Sequence, residues 1–331
     1  MRIVALLIAV AATVVEFRTN YDAMMEATRW LMDGGAPPAH WVVHGESDLD
    51  YLEQPAISRT VKEVFEARFR NTSVIVKWVK DGLHPERHEA LTEIVFLEYC
   101  RGGPGIPRLL GAYRNENGTV VWVVEKVGES IGNYLDSTRT KILNFTSSRL
   151  TVTNSKWRAF VEAAPLDAAR AIFRCFRSLS EIGGFYIDDF HPGQFTFFEG
   201  ALYVIDGLSI AGGPARDFVD NATNVARFVG KLPLNRPFFM QCLHSSKYKI
   251  TYRKNFINKA ETLSRNEKCR RAATNGHVTD VATKPFLLPF VIDRSAGDDR
   301  KKLEALSATM HSITRPGQTR PSFTELLAAL S

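Results

Sequence analysis

The stretch Phe185–Asp206 reads FYIDDFHPGQFTFFEGALYVID. Two adjacent acids, Asp188 and Asp189, stand with His191 and Gln194 between aromatic residues. An alternating run from Phe195 and the apolar run LYVI flank Glu199-Gly200, a pair suited to a tight turn, so the stretch predicts a β-hairpin. The second strand ends in a third acid, Asp206. Phe195, Phe197, Phe198 and Tyr203 recur at strand spacing and are read as core. They are not read as a platform on which bases stack, and nucleic acid is not an expected partner.

Before this stretch, DAARAIFRCFRSLSEIGG places Ala168, Ile172, Phe176 and Leu179 on one helical face and stops at Gly183-Gly184. Farther upstream, VKEVFEARF and VIVKWV flank the turn residues RNTS, a hairpin with Lys77 in its second strand. HPERHEALTEIVFLEYCRGGPG then reads as a helix: Leu91, Ile94, Val95 and Glu98 recur at helical spacing, Glu93 sits mid-helix, and Gly102-Gly103-Pro104 ends it. Two more strands follow around Asn115-Glu116-Asn117-Gly118, with an exit at Gly128. Downstream, residues 211–277 are irregular, polar and basic and read as a long ordered loop, and TDVATKPFLLPFVI returns to apolar structure. RPSFTELLAAL is a short final helix with Ser322 and Glu325 at capping-box spacing. Strands, one helix, more strands and a mostly helical half predict an α+β fold with a small β-rich lobe and a larger helical lobe, with a ligand cleft at their join.

With 331 residues, 45% hydrophobic and 24% charged, the chain can bury a full core. A net charge of +6 without a long Lys/Arg run reads as solubility. The N-terminus MRIVALLIAVAATVVEF has the layout of a secretory signal peptide, with cleavage expected after Ala12 and no membrane span thereafter. Sequons at Asn71, Asn117, Asn144 and Asn221 agree with secretion. Cys100, Cys175, Cys242 and Cys269 permit two disulfides, with Cys242 and Cys269 in one loop-like region; free buried thiols are the competing reading.

Phosphoryl transfer needs a cation on the phosphates, acids or amides around a divalent metal, and a carboxylate to receive the hydroxyl proton. The chain supplies Lys77, Glu93, Asp189, Gln194 and Asp206 in that order. Gln194 lies five residues after Asp189, and Asp206 twelve after Gln194. Glu98 competes with Glu93, and Asp188 with Asp189. His191 lacks a second histidine at ligand spacing and reads as structural or substrate-facing.

This order and spacing resembles that of the protein kinases, and DFHPGQFTFFEGALYVID is most similar to the extracellular kinases of the vertebrate lonesome kinase type. EIVFLEYCRGGPGIPRLLGAY resembles the αC helix and β4 strand of kinases. GHVTDVATKPFLLPFV resembles their αF helix, with Asp280 as the acid that anchors the catalytic loop. TRPSFTELLAALS resembles their last helix, with Arg320 as its buried arginine. The resemblance implies a bilobal protein-kinase-like fold: a signal peptide at 1–12, an N-terminal segment at 13–44, an N-lobe at 45–125, and a C-lobe at 126–331 with a long activation region at 207–279. It implies that Lys77 holds the α/β-phosphates of ATP and pairs with Glu93, with Glu125 and Val127 as further cofactor-binding positions. Asp189 would be the base, and Gln194 and Asp206 would bind Mg²⁺ or Mn²⁺. Substrates would be hydroxyl side chains, tyrosine among them, of proteins in the Golgi lumen or outside the cell.

The sequence departs from the family pattern in places. ISRTVKEV stands where a glycine-rich loop belongs, with Ile57, Arg59 and Lys62 at the glycine positions. Ile187 and Asp188 stand for the usual His-Arg, Gly207 follows Asp206, and an acidic partner for Arg320 is not identifiable. A secreted pseudokinase acting as a binding or scaffold module is therefore the competing expectation, and a small-molecule kinase the third.

Overall fold

The computed structural model describes residues 21–31, 34–52, 58–59, 62–79, 86–133, 151–187, 190–206, 208–210, 265–311 and 320–331. The expected signal peptide lies outside them. The described residues divide into two compact units: one takes those of 21–102 and 107–126, the other those of 103–106, 127–210 and 265–331.

The first unit is a six-stranded antiparallel sheet with helices. Helix α1 covers 21–31, and the strands are β1 (Asp50–Tyr51), β2 (Ser58–Arg59), β3 (Lys62–Phe69) and β4 (Thr72–Val79). Helix α2 (Glu86–Tyr99) and strands β5 (Leu109–Arg114) and β6 (Val120–Glu125) complete it. The path runs β1-β3-β4-β6-β5, with β2 also on β3. Arg70 and Asn71 close the β3–β4 hairpin with φ of 49° and 64°, the twist that suits a two-residue hairpin turn. Period-two alternation sends Ala67, Phe69, Val74, Val76, Val121 and Val123 to one face. Val43 and Leu49, from the segment before the sheet, join that core. Trp30 of α1 meets Trp41 edge-on at 5.1 Å, so the described N-terminal residues belong to this unit. Helix α2 packs against β4, β5 and β6.

The second unit is mostly helical. Its short strands are β7 (Glu129–Ser130), β8 (Gly132–Asn133), β9 (Thr151–Val152), β10 (Phe185–Ile187), β11 (Phe195–Phe198), β12 (Ala201–Val204) and β13 (Leu208–Ile210). Its helices are α3 (Ser155–Ala163), α4 (Pro165–Phe176), α5 (Arg265–Thr283), α6 (Leu288–Arg294), α7 (Gly297–His311) and α8 (Phe323–Leu330). Asn154 caps α3 by accepting the Trp157 N–H at 2.9 Å, and Ser322 and Glu325 form the expected capping box on α8. Helix α4 continues into a wider π-type turn over Arg177–Ile182. Phe173, Phe176, Phe195, Phe286 and Phe323 fill the core. The architecture is thus mixed α+β, with a small antiparallel sheet and helices in two compact units.

Three expectations are corrected. The irregular stretch expected up to residue 277 gives way to α5, which begins at Arg265. Its apolar residues are sparse, and Asn275-Gly276 imitates a turn, so periodicity did not reveal it. Cys269 is therefore helical rather than in a loop; Cys242 lies outside the described residues. Phe198, expected in the core, is 42% exposed, because the strand period that buries Phe197 turns its neighbour outward. Cys100 and Cys175 are buried free thiols. Among the described residues, no helix is long and apolar enough to cross a membrane.

Candidate functional site

The first cluster lies on β4 and α2. β4 is an interior strand between β3 and β6, so Lys77 is not an edge-strand lysine. Lys77 pairs with Val64 on one side and Trp122 on the other, on the face away from the Val74–Val76 core. Its Nζ donates to Glu93 Oε1 at 2.5 Å, and Lys62 Nζ donates to Glu93 Oε2 at 3.1 Å. All three side chains are buried. A buried carboxylate and ammonium are tolerated only when paired and hydrogen-bonded, so this contact fixes α2 on the sheet.

The choice between Glu93 and Glu98 follows from the helix. Five residues at 100° each turn the two carboxylates to different sides of α2. Glu98 faces the N-terminal segment: its Oε1 accepts the Trp41 indole N–H at 2.7 Å, and both oxygens lie within 3.0 Å of His40 Nε2. It holds that segment to the helix and is occupied there.

Glu125 ends β6. Its carboxylate accepts the Arg108 N–H at 2.8 Å, and its own N–H donates to the Arg108 carbonyl at 3.0 Å. Val127 is buried, and the chain leaves the first unit between Lys126 and Val127.

The second cluster is set by two nested ladders. β11 and β12 pair antiparallel from Phe195↔Val204 to Phe198↔Ala201, closed by Glu199 and Gly200 with φ of 47° and 76°. One step beyond, the Ile205 N–H donates to the Gln194 carbonyl at 2.9 Å. Gln194 and the residue before Asp206 are therefore opposite one another, and Gln194 and Asp206 both stand at the open end of the hairpin. Around this hairpin, β10 pairs with β13, Ile187 opposite Leu208. The chain leaves that ladder just before Asp188 and returns just after Gly207. Asp188 and Asp189 themselves lie outside the described residues.

Gln194 is buried at the end of a single 3₁₀ turn, Pro192–Gln194. His191 caps that turn, its Nδ1 accepting the Gly193 N–H at 3.0 Å. That ring nitrogen supports the backbone, in line with the structural reading.

Helix α5 carries two buried residues one turn apart, His277 and Asp280. His277 Nε2 accepts the Ile187 N–H at 3.2 Å, immediately before the acid pair, and its ring stacks on Tyr186 at 4.8 Å. Sequence reasoning named Asp280 and passed over His277; the signal was its place three residues earlier on the same helical face. Asp280 also acts on Arg320 through its charge, though the Arg320 Nε and Nη1 make no hydrogen bond among the described residues. Burial pulls the Arg320 guanidinium below its ordinary value, and the Asp280 carboxylate offsets part of that.

The chain matches no protein-family model and none of the curated proteins with which it was compared.

Proposed function

We propose that this protein is a divergent secretory-pathway protein kinase, transferring the γ-phosphate of ATP to hydroxyl side chains of lumenal or extracellular proteins. The observation that carries this reading is the buried pair Lys77–Glu93, an ammonium on an interior strand held by a carboxylate of the next helix at 2.5 Å. A lysine fixed this way presents a directed positive charge for nucleotide phosphates. The hairpin gives the second support: Gln194 and Asp206, an amide and a carboxylate with hard oxygen donors, stand on its two strands at the same open end. That donor set fits Mg²⁺ or Mn²⁺ better than a softer metal.

In this reading Lys77 holds the α/β-phosphates, Glu93 orients Lys77, and Gln194 and Asp206 hold the metal. The metal, when bound, neutralises charge on the phosphates. Asp189 receives the proton of the acceptor hydroxyl. Glu125 and Val127 flank the nucleotide base. Catalysis then rests on position and charge, with little covalent work for the protein.

A pseudokinase is the competing reading, favoured by one observation: Lys62 shares Glu93 with Lys77 where a glycine-rich loop would pass. Thermal melts of the purified full chain with ATP, with and without Mn²⁺ or Mg²⁺, separate the two. A ligand stabilises the state it binds by mass action. A metal-dependent rise in Tm, lost in Asp206→Ala, supports the nucleotide site; phosphate transfer to protein acceptors, lost in Asp189→Ala, supports the kinase. No rise at millimolar ATP favours the pseudokinase, and equal turnover by Asp189→Ala sinks the assignment of the base.

A further inference from the structure

We infer that Asn117, at the tip of the turn between β5 and β6, carries an N-linked oligosaccharide. The inference rests on the secretory half of the reading above and not on phosphoryl transfer, so it holds equally for a kinase and a pseudokinase.

Three observations carry it. The first is exposure. Asn117 opens the sequon Asn117-Gly118-Thr119, and Glu116, Asn117 and Gly118 are all exposed where the hairpin turns. Gly118 has φ of 76°, and a Cβ added there would meet nothing within 4 Å. The tip stands in open space, which a bulky, hydrated sugar needs.

The second is the division of roles within the turn. A turn asparagine ordinarily holds the turn closed by bonding nearby backbone with its own side chain. Here Asn115 fills that role: its Oδ1 accepts the Asn117 N–H at 3.1 Å and the Thr119 N–H at 2.9 Å. The Gly118 N–H donates to the Asn115 carbonyl at 2.8 Å, and the Asn115 N–H to the Thr119 carbonyl at 3.0 Å. Arg114 braces the base, donating to the Gly118 carbonyl at 3.2 Å and the Leu31 carbonyl at 2.8 Å. Asn117 gives this scaffold only its backbone N–H. Its side-chain amide makes no hydrogen bond among the described residues.

The third is a contrast with the other described sequon. Asn71 is also exposed, but its φ of 64° is left-handed, and asparagine is among the few residues that settle there. The backbone thus accounts for an asparagine at 71. Asn117 lies outside the left-handed region, so neither backbone nor side-chain bonding calls for asparagine at that place.

In the transfer, Asn117 Nδ2 bonds to the anomeric carbon of a lipid-pyrophosphate-linked oligosaccharide. The bond from that carbon to the pyrophosphate oxygen breaks, and the lipid pyrophosphate leaves with the electron pair. The amide proton passes to a base of the transferase, which reads the Thr119 hydroxyl as part of the sequon.

The test expresses the full chain, with its own N-terminus, in cultured animal cells and recovers it from the medium and the membrane-enclosed fraction. Peptide N-glycosidase in heavy-oxygen water turns a glycosylated asparagine into isotopically labelled aspartate, which peptide mass spectrometry locates. The label should appear at position 117. Asn117→Gln and Thr119→Ala should each lose one glycan's worth of gel retardation, and Thr119→Ser should keep it. The wild-type peptide alone decides the question, so a variant that fails to fold removes nothing from the test. A chain that enters the secretory route with Asn117 unlabelled overturns the inference and leaves the secretory reading standing. A chain held in the cytosol, with no sugar at any sequon, overturns the secretory reading and the inference with it.

Discussion

His277 Nε2 accepts the backbone N–H of Ile187 at 3.2 Å, inside a ring of aromatic side chains. An accepting Nε2 fixes the neutral ring with its proton on Nδ1. The bond ties β10 to α5 at the last described residue before Asp188 and Asp189. His277→Ala leaves the buried Ile187 donor unsatisfied, a loss of about 1–3 kcal/mol, and opens space under Tyr186. The urea midpoint should fall accordingly, and the Ile187 amide should lose protection from hydrogen exchange. An unchanged Ile187 exchange rate in a folded variant would show that the bond does not hold the strand.

The shared carboxylate makes a second prediction. Glu93→Leu leaves two buried ammonium groups without it, and breaking a buried pair from one side costs about 3–5 kcal/mol. Replacing all three residues, with Lys62→Met, Lys77→Met and Glu93→Leu together, removes the buried charges and should recover most of that stability. Denaturant unfolding of the two variants checks this. Were the triple variant no more stable than Glu93→Leu, the cluster would owe its stability to shape rather than charge.

Much of this arrangement was legible from residue order. The hairpin 195–204, its turn and the helix carrying Glu93 followed from alternation, turn chemistry and helical spacing, all local signals. The choice of Glu93 over Glu98 came from the resemblance and not from spacing. What occupies Glu98 was not legible, because Trp41 and His40 lie more than fifty residues away. The first part of helix α5, residues 265–275, was hidden because it is built mostly of charged, polar and small residues rather than an apolar stripe, whereas 276–283 fell within the stretch that resembles a kinase helix. The role of Lys62 was hidden for a related reason: a lysine beginning a strand reads as exposed unless its partner is known.

The buried thiols give a pH prediction. Burial raises Cys175 from 9.0 to about 12, and it raises Cys100 as well. Above pH 9 the unfolded chain releases these protons while the folded chain keeps them, so stability falls as pH rises from 9 toward 12. Each thiol contributes a slope of up to about 1.4 kcal/mol per pH unit in that window. Cys175→Ala should flatten the alkaline limb of a stability-versus-pH curve, after allowance for the small cavity. Neither Cys100 nor Cys175 should react with a thiol reagent until the chain unfolds; rapid modification of either in the native protein would contradict their burial.

Gly128 and Gly200 separate backbone strain from steric clash. Both adopt the left-handed region, with φ of 74° and 76°. At Gly200 an added Cβ meets only the Phe160 ring at 3.9 Å, so Gly200→Ala costs the left-handed penalty alone, roughly 1–2 kcal/mol. At Gly128 the Cβ would lie 2.2 Å from the Phe197 carbonyl oxygen, and backbone cannot swing aside as a side chain can. The shift must pass into the Phe197↔Glu129 pairing of β11 with β7. Gly128→Ala should therefore exceed Gly200→Ala by the further cost of overpacking, about 1–3 kcal/mol. Matched thermal melts measure the difference directly. Equal losses would mean that β7 yields freely, and the strand would then be a poor support for the hairpin that carries Gln194 and Asp206 at its open end.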